Sequence, residues 1–129
     1  MSPVVLVDTS SWTQALRRKG DPLVRDRVGQ LLTNNSAAWC DMVRVELWNG
    51  ARGLAERDKL KQMEAELPRL PITDDVWELA CRCAGLAHAT GLVVPASDLV
   101  IFACAKVHGA GIECTDRHFQ MLEQLKFSS

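Results

Sequence analysis

The sequence predicts an α/β protein built around a parallel sheet. Short runs of apolar and β-branched residues alternate along the chain with longer stretches in which apolar residues recur every three or four positions. The first pattern is typical of buried strands and the second of amphipathic helices. Their alternation is typical of strands connected by helical crossovers. At 129 residues the chain has the length of one compact domain, so we expect a single domain over residues 1–129.

The first part of the chain predicts one strand and two helices. Residues 3–7 form a β-branched apolar run, which predicts a buried strand that ends at Asp8. The polar residues that follow predict a helix over residues 11–18. Asp21 and Pro22 are typical of the N-cap and the first position of a second helix.

The middle of the chain predicts two further helices and two extended segments. Residues 37–40 predict a short strand, Asp41 can cap the helix that follows, and residues 55–67 predict a charged helix. Residues 70–72 predict a short extended piece. Pro71 places it at an edge of the sheet, because proline lacks the N–H group that an interior strand donates.

The last third predicts two helices, a strand and a final helix or turn. Residues 73–75 open a helix that ends at Gly91. Residues 99–107 form the most apolar helix, which we expect at the centre of the fold. Residues 112–115 predict a strand, and residues 119–125 predict the final helix or turn.

The composition favours a globular protein. Apolar residues make up 47% of the chain and charged residues 24%, and the net charge of −1 makes any basic surface local. The longest apolar stretches, residues 4–7 and 99–105, are too short to span a bilayer. The first residues, Met1 to Val4, lack the basic segment of a signal peptide, so we expect a cytoplasmic protein. The odd number of cysteines argues against a disulfide framework, and we expect most of them to pack as small apolar residues.

Four acidic residues lie where surface solvation is not the natural explanation. Asp8 and Asp116 each end a predicted strand, and ligand sites of parallel α/β sheets lie beyond the carboxyl ends of strands. Glu46 lies between two apolar residues of a predicted helix, and Asp98 lies in the first turn of the most apolar helix. Each residue alone also fits a helix cap, an exposed helix position or a turn. Together they predict one acidic site at an edge of the sheet.

Four carboxylates cannot share a small volume unaided. Two like charges about 4 Å apart repel by about 4 kcal/mol at an effective dielectric constant of about 20. A divalent cation relieves this repulsion, and oxygen ligands without a histidine or cysteine at ligand spacing favour Mg²⁺ or Mn²⁺ over Zn²⁺. Such ions serve phosphodiester hydrolysis by activating water and stabilising the leaving oxygen.

Four segments resemble, in order, the motifs of the PIN-domain ribonucleases. They are residues 5–12 around Asp8, residues 46–51 from Glu46, residues 95–103 around Asp98 and residues 115–119 around Asp116. Their order and spacing cover essentially the whole chain, and its size is similar to that of VapC-type toxins of toxin–antitoxin pairs. The resemblance implies a PIN-like three-layer α/β/α sandwich with a central, mostly parallel sheet of four to five short strands.

The resemblance also implies roles for the four acids. Asp8, Asp98 and Asp116 match the metal-binding aspartates of the family, and Glu46 matches the glutamate that completes the acidic pocket, so we expect all four to be catalytic. It further implies an Mg²⁺- or Mn²⁺-dependent endoribonuclease that cleaves RNA, forms a homodimer and is inhibited by a small antitoxin.

Hydroxyl residues beside the acids are secondary candidates. Thr9 could orient metal-bound water, as could Ser10 and Ser11, whose turn chemistry also fits helix capping. Many members of the family carry a hydroxyl residue two positions before the last aspartate. This chain has Cys114 there, and Thr115 is the adjacent hydroxyl.

Other residues have two interpretations each. His118 could act as a general acid near the leaving group, although its position also fits an exposed histidine at a helix start. Residues 17–19 with Arg25 and Arg27 could contact RNA phosphates or form a solvated face. The four tryptophans could stack bases. Packing in the core or in a dimer fits their apolar surroundings better, and Trp48 is the best interface candidate.

Two other functions remain open. A haloacid-dehalogenase-like phosphatase also starts with an aspartate after a buried strand, but it needs a second acid two residues later, where this chain has Ser10. A PIN-like module that only binds its partner would be expected to lose some of the acids, and all four are present.

Overall fold

The computed structural model describes residues 3–125, so residues 1, 2 and 126–129 of the predicted domain lie outside the described part. The elements in chain order are β1 (Val5–Val7), α1 (Thr9–Leu16), α2 (Pro22–Thr33), β2 (Ala37–Ala38), α3 (Asp41–Asn49), α4 (Gly53–Glu66), α5 (Asp74–Ala89), α6 (Ala96–Val107), β3 (Gly111–Glu113) and α7 (His118–Glu123). Each predicted helix is present, with its ends within a few residues of the prediction.

The sheet has three parallel strands, with β1 in the middle between β2 and β3. Val5 pairs with Ala37 on one side and with Gly111 on the other. The helices that connect these strands produce the α/β class and the α/β/α layering that the sequence predicted.

The predicted number of four to five strands was too high for the part of the chain that the structure describes. Residues 70–72 form no strand, and the chain before them contributes one isolated bridge, between Trp39 and Arg69. The N–H of Leu70 donates a hydrogen bond of 2.8 Å to the carbonyl oxygen of Trp39. The pairing ends there, because the chain enters α3 at Asp41, two residues after Trp39.

The strands β1 and β3 end at the same edge of the sheet. Val7 pairs with Glu113 in the parallel register, and the N–H of Asp8 donates a hydrogen bond of 2.9 Å to the carbonyl oxygen of Glu113. Asp8 therefore leaves the sheet beside the loop that follows β3. This loop carries Asp116.

The helix α6 lies at the centre of the fold, as its apolar sequence predicted. Seven consecutive side chains, residues 99–105, are buried. A helix that is apolar all round must be covered all round, and α5, α3, α7 and β3 all pack against it. Asp98 lies in its first turn, so the central helix fixes the place of this acid.

The connection between α1 and α2 depends on Gly20. A Cβ atom at this position would lie 1.8 Å from the carbonyl oxygen of Gln14, so no side chain fits without a backbone movement. The chain then enters α2 at Pro22, where the Asp21 carboxylate accepts a hydrogen bond of 2.9 Å from the N–H of Leu23. The predicted N-cap and first-position pair is thus confirmed.

The start of α3 differs from the prediction. Cys40 occupies the N-cap position without a side-chain capping bond, and Asp41 is the first helical residue rather than the cap. Asp41 instead accepts a 2.7 Å hydrogen bond from Arg44, which also pairs with Glu64 of α4. These ion pairs tie the helix that carries Glu46 to α4.

The core contains the residues that the composition predicted to be inside. Cys40, Cys83 and Cys104 are buried free thiols, in agreement with the expectation that most cysteines pack as small apolar residues. Trp12 and Trp39 are each only 1% exposed, which supports core packing over base stacking for these two residues. Between residues 3 and 125, no helix has the length and hydropathy needed to cross a membrane.

Candidate active site

Asp8 is a buried carboxylate with one satisfied and one unsatisfied oxygen. It is the N-cap of α1 and is only 3% exposed. Its Oδ2 accepts hydrogen bonds from the hydroxyl of Ser10 at 2.6 Å and from the N–H of Ser10 at 3.3 Å. Its Oδ1 is buried and has no hydrogen-bond partner among residues 3–125. The capping role that the sequence allowed for Asp8 therefore uses only one of its two oxygens.

The environment of Asp8 disfavours its charged form. Burial raises the pKa of Asp8, and the hydrogen bonds from Ser10 lower it only in part. The negative charge of Asp98 raises this pKa further. The two aspartates therefore lie within electrostatic reach of each other in a site of restricted solvent access.

Asp98 and Asp116 are joined by the imidazole ring of His118. The Nδ1 atom of His118 lies 2.9 Å from Oδ2 of Asp98 and 2.9 Å from Oδ1 of Asp116. The same oxygen of Asp116 accepts a hydrogen bond of 2.8 Å from the N–H of His118. Ligand atoms of these three residues all lie within 4.8 Å of one another, which makes them a candidate metal-binding group.

Asp98 is the residue through which the four acids interact. Burial raises the pKa of Asp98, the hydrogen bond from His118 lowers it, and the negative charges of Asp116 and Glu46 raise it again. Asp98 and Asp116 lie together with His118, and the charge of Asp98 also acts on Asp8, so the other three acids all lie within electrostatic reach of Asp98.

Glu46 is oriented by a residue of the first motif. The hydroxyl of Thr9 donates a 2.8 Å hydrogen bond to Oε1 of Glu46. Thr9 is the first residue of α1 and Glu46 lies in α3, two helices that pack against each other. Thr9 therefore acts on the position of Glu46 rather than on Asp8, its neighbour in sequence.

The two residues before Asp116 occupy different environments. Thr115 is exposed, and its N–H donates a 3.3 Å hydrogen bond to the hydroxyl of Ser10. Cys114 is half-buried, and burial together with the nearby negative charges raises the pKa of its thiol to about 11. Cys114 therefore stays an uncharged thiol at neutral pH.

Sequence reasoning missed Glu113, the last residue of β3. Its carboxylate accepts a hydrogen bond of 3.3 Å from the buried hydroxyl of Ser11 and forms an ion pair of 2.8 Å with Arg27. Arg27, which the sequence offered as a phosphate contact, is therefore already paired. An acid inside a predicted strand, immediately before the thiol of Cys114 and the hydroxyl of Thr115, was the available signal.

His118 is the first residue of α7, as one of its two interpretations held, but its side chain is only partly exposed. Its side chain is 26% exposed and contacts two of the four acids. The available signal was its position two residues after Asp116, since a residue there can fold back onto the aspartate through a turn.

The structure has a parallel sheet with acids gathered beyond its carboxyl edge. These are the features of the class of protein that the sequence motifs indicated. A family model of the PIN domain matches residues 5–123, and the chain therefore belongs to the PIN-domain family. Ribonuclease VapC18 of Mycobacterium tuberculosis is 32% identical to it over 120 residues, which cover 90% of this chain and 85% of VapC18.

Solved structures share the fold. VapBC2 from Rickettsia felis, bound to a DNA fragment from its promoter, superposes with a TM-score of 0.75 at 17% identity and covers 92% of each chain. VapBC-5 from Mycobacterium tuberculosis, a member of the VapBC family of toxin–antitoxin systems, has a TM-score of 0.68 at 22% identity, over 95% of this chain and 93% of that one. At these sequence identities, the similarity shows a shared fold and nothing further.

Proposed function

We propose that this chain, as a single PIN domain over residues 1–129, is a metal-dependent endoribonuclease toxin held silent by an antitoxin. Its reaction is the hydrolysis of RNA phosphodiester bonds by in-line attack of water. The observation that carries the proposal is the buried, unpartnered Oδ1 of Asp8 within electrostatic reach of Asp98. The similarity to Ribonuclease VapC18 supports RNA as the substrate.

The acidic group fits a divalent cation. A buried carboxylate oxygen without a donor costs free energy unless something positive approaches it, and Oδ1 of Asp8 is such an atom. Asp8, Asp98 and Asp116 would hold the ion, and Glu46 would complete the negative pocket. Oxygen-rich ligand sets of this kind favour Mg²⁺ or Mn²⁺. When bound, the ion supplies activation of water and stabilisation of the leaving oxygen.

The residues of the chain itself supply orientation. Ser10 fixes Oδ2 of Asp8 with two hydrogen bonds, which leaves Oδ1 as the free ligand atom. Thr9 fixes one oxygen of Glu46. Because positioned groups contribute to rate only when held in the reactive geometry, we assign Thr9 and Ser10 as positioning residues. Thr115, the other secondary candidate, contributes a backbone N–H to Ser10.

The test is RNA cleavage by the purified full-length chain, without metal and after addition of Mg²⁺ or Mn²⁺. We expect activity only with metal, and we expect Asp8→Asn and Asp98→Asn to abolish it while circular dichroism shows a folded protein. Asp41→Asn is the matched control, because Asp41 is also an acid in the first turn of a helix but lies in the ion-pair network of Arg44. Full activity of Asp98→Asn would overturn the assignment.

The surface of this chain has a groove whose chemistry matches the proposed antitoxin. The helices α1, α2 and α4 line a groove of about 610 Å³. Its apolar lining includes Trp12, Ala15, Leu16, Val28, Leu32 and Met63. An amphipathic helix fits such a groove with its apolar face, and carboxylates of that helix would pair with Arg25 and Lys59, which also line it. A basic side chain of the antitoxin near the four acids would relieve their repulsion. The similarity to VapBC toxin–antitoxin proteins supports a partner of this kind.

We also propose that the toxin forms a homodimer. Large apolar side chains outside the groove remain exposed, among them Val45, Trp77 and Val93. Trp48, the interface candidate from sequence, is half-buried against the core. Light scattering after gel filtration should give twice the chain mass of 14.3 kDa, and a mass equal to one chain would contradict the dimer.

A further inference from the structure

The position of His118 is more constrained than an ordinary histidine–aspartate pair requires. Its Nδ1 lies 2.9 Å from an oxygen of Asp98 and 2.9 Å from an oxygen of Asp116. A neutral imidazole carries a single hydrogen, on one of its two ring nitrogens. One nitrogen therefore cannot donate a full hydrogen bond to both carboxylates at once, and the short distances to both call for a further explanation.

The distances between neighbouring ligands of a metal ion explain the two short contacts of Nδ1. Mn²⁺ and Mg²⁺ favour six ligands in octahedral geometry, with ligand distances of about 2.0–2.1 Å for Mg²⁺. Neighbouring ligands of such an octahedron are about 2.9 Å apart, because the edge is √2 times the ligand distance. The two distances from Nδ1 equal this edge. Nδ1 of His118 is therefore spaced from Oδ2 of Asp98 and from Oδ1 of Asp116 as adjacent ligands of one ion are, and the ligand atoms of the three residues lie within 4.8 Å of one another.

The backbone holds the imidazole in this place. The N–H of His118 donates a 2.8 Å hydrogen bond to Oδ1 of Asp116, which closes a turn between the two residues. His118 is also the first residue of α7, which packs against α6, the helix of Asp98. The ring is 26% exposed, so it is accessible to solvent on one side and confined by the two acids on the other.

The unpartnered Oδ1 of Asp8 points independently to a cation at this site. It belongs to a residue that is only 3% exposed, and no hydrogen-bond donor among the described residues reaches it. The negative charge of Asp98 raises the pKa of Asp8, so the two residues lie within electrostatic reach of each other. A cation shared with Asp98 would satisfy this oxygen.

We propose that His118 is a direct metal ligand, so that Asp98, Asp116 and His118 form a two-carboxylate, one-imidazole set that favours Mn²⁺ over Mg²⁺. The inference rests on the proposed metal-dependent function and extends it to metal selectivity. Imidazole nitrogen binds first-row transition ions more readily than it binds Mg²⁺, which prefers oxygen and retains its water. The sequence had suggested an oxygen-only ligand set, and His118 changes that expectation.

The experiment is pulsed electron paramagnetic resonance of the full-length chain loaded with one equivalent of Mn²⁺. A directly bound imidazole produces electron spin-echo modulation from its ¹⁴N nucleus. We expect this modulation in the wild type and in His108→Asn, and its loss in His118→Asn. His108 is the matched control, because it caps the opposite end of α6 and its Nε2 lies 2.7 Å from the carbonyl oxygen of Pro71.

Calorimetric titration with Mn²⁺ and with Mg²⁺ supplies a second readout. We expect His118→Asn to weaken Mn²⁺ binding by at least about tenfold, in the range seen when the surroundings of a metal are altered, and to weaken Mg²⁺ binding less. Wild-type protein that binds Mn²⁺ without nitrogen modulation, or His118→Asn that retains the modulation, overturns the ligand role. Loss of affinity without any nitrogen modulation in the wild type would make His118 a positioning residue instead. Wild-type protein that binds neither ion, or Asp98→Asn that binds both unchanged, would instead overturn the proposed metal-dependent function.

Discussion

The hydroxyl of Thr9 donates a hydrogen bond of 2.8 Å to Oε1 of Glu46, a residue 37 positions away in the sequence. This bond joins the start of α1 to the middle of α3, so the acid of the second motif is held by a residue of the first. It leaves the other oxygen of Glu46 available to the acidic site. Thr9 thus couples the geometry of two helices to the position of one carboxylate.

We expect Thr9→Val to lower kcat/KM for RNA cleavage by about tenfold or more. A hydrogen bond to a charged group contributes about 1.5–3 kcal/mol, and about 1.4 kcal/mol corresponds to a tenfold change in rate. Valine keeps the shape and removes the hydroxyl, whereas Thr9→Ser keeps the hydroxyl and should retain activity close to that of the wild type. Equal activity of Thr9→Val and the wild type would show that this bond does not position Glu46.

The buried carboxylate of Asp8 predicts a pH-dependent effect on stability without metal. Its folded pKa is raised above the ordinary value of 3.8, chiefly by burial. The contribution of Asp8 to stability is therefore fully present below pH 3.8 and is lost as the pH rises through its folded pKa. Asp8→Asn should accordingly gain stability relative to the wild type as the pH rises from 3.8 through the folded pKa of Asp8, by about 1.4 kcal/mol for each unit by which the pKa is raised.

The measurement is urea denaturation of both proteins in EDTA at several pH values. Glu64→Gln is the control of opposite sign, because the ion pair with Arg44 lowers the pKa of Glu64. The contribution of Glu64 is present above its ordinary pKa of 4.5 and is lost as the pH falls through the lowered value. This variant should lose stability relative to the wild type as the pH rises. A pH-independent difference between Asp8→Asn and the wild type would contradict the raised pKa.

Two glycine substitutions should change stability in opposite directions. Gly20→Ala places a Cβ atom 1.8 Å from the carbonyl oxygen of Gln14, and we expect it to destabilise the fold by at least about 2 kcal/mol, because the backbone must move. Gly85 lies in α5 with no atom within 4 Å of an added Cβ. Gly85→Ala should stabilise the fold by about 0.5–1 kcal/mol, since alanine favours the helix. Chemical denaturation measures both, and a neutral Gly20→Ala would contradict the close approach.

Substitutions in the groove lined by α1, α2 and α4 should weaken antitoxin binding without changing RNA cleavage. Leu32 is 44% exposed and lines the groove, whereas Leu23 of the same helix is 69% exposed and does not. Leu32→Arg should weaken binding of the co-expressed antitoxin by at least about tenfold, because a charge would be buried against an apolar helix face. Leu23→Arg should bind normally, and both variants should cleave RNA as the wild type does. Equal antitoxin affinity of the two variants would exclude this groove as the binding surface.

Local patterns in the sequence carried much of the fold. The uninterrupted apolar run of residues 99–105 predicted the central helix, and the structure buries all of it. Asp21 and Pro22 predicted the start of α2. The acids Asp8 and Asp116 were identified from their places after predicted strands. Such features are readable because helix spacing, capping and strand ends depend on residues that are neighbours in the chain.

The tertiary structure decided what depends on partners distant in sequence. The strand count fell to three across residues 3–125, because a strand exists only where its N–H and C=O groups find a neighbour. His118 meets Asp98 across 20 positions, and Ser11 meets Glu113 across 102. These contacts follow from how α6, α7 and β3 pack, and no local spacing encodes that packing. The sequence by itself determined which acids this protein has at the ends of its strands and helices. Only the packing of those elements determined which side chains orient the acids, because a side-chain hydrogen bond requires its two groups within about 3 Å of each other.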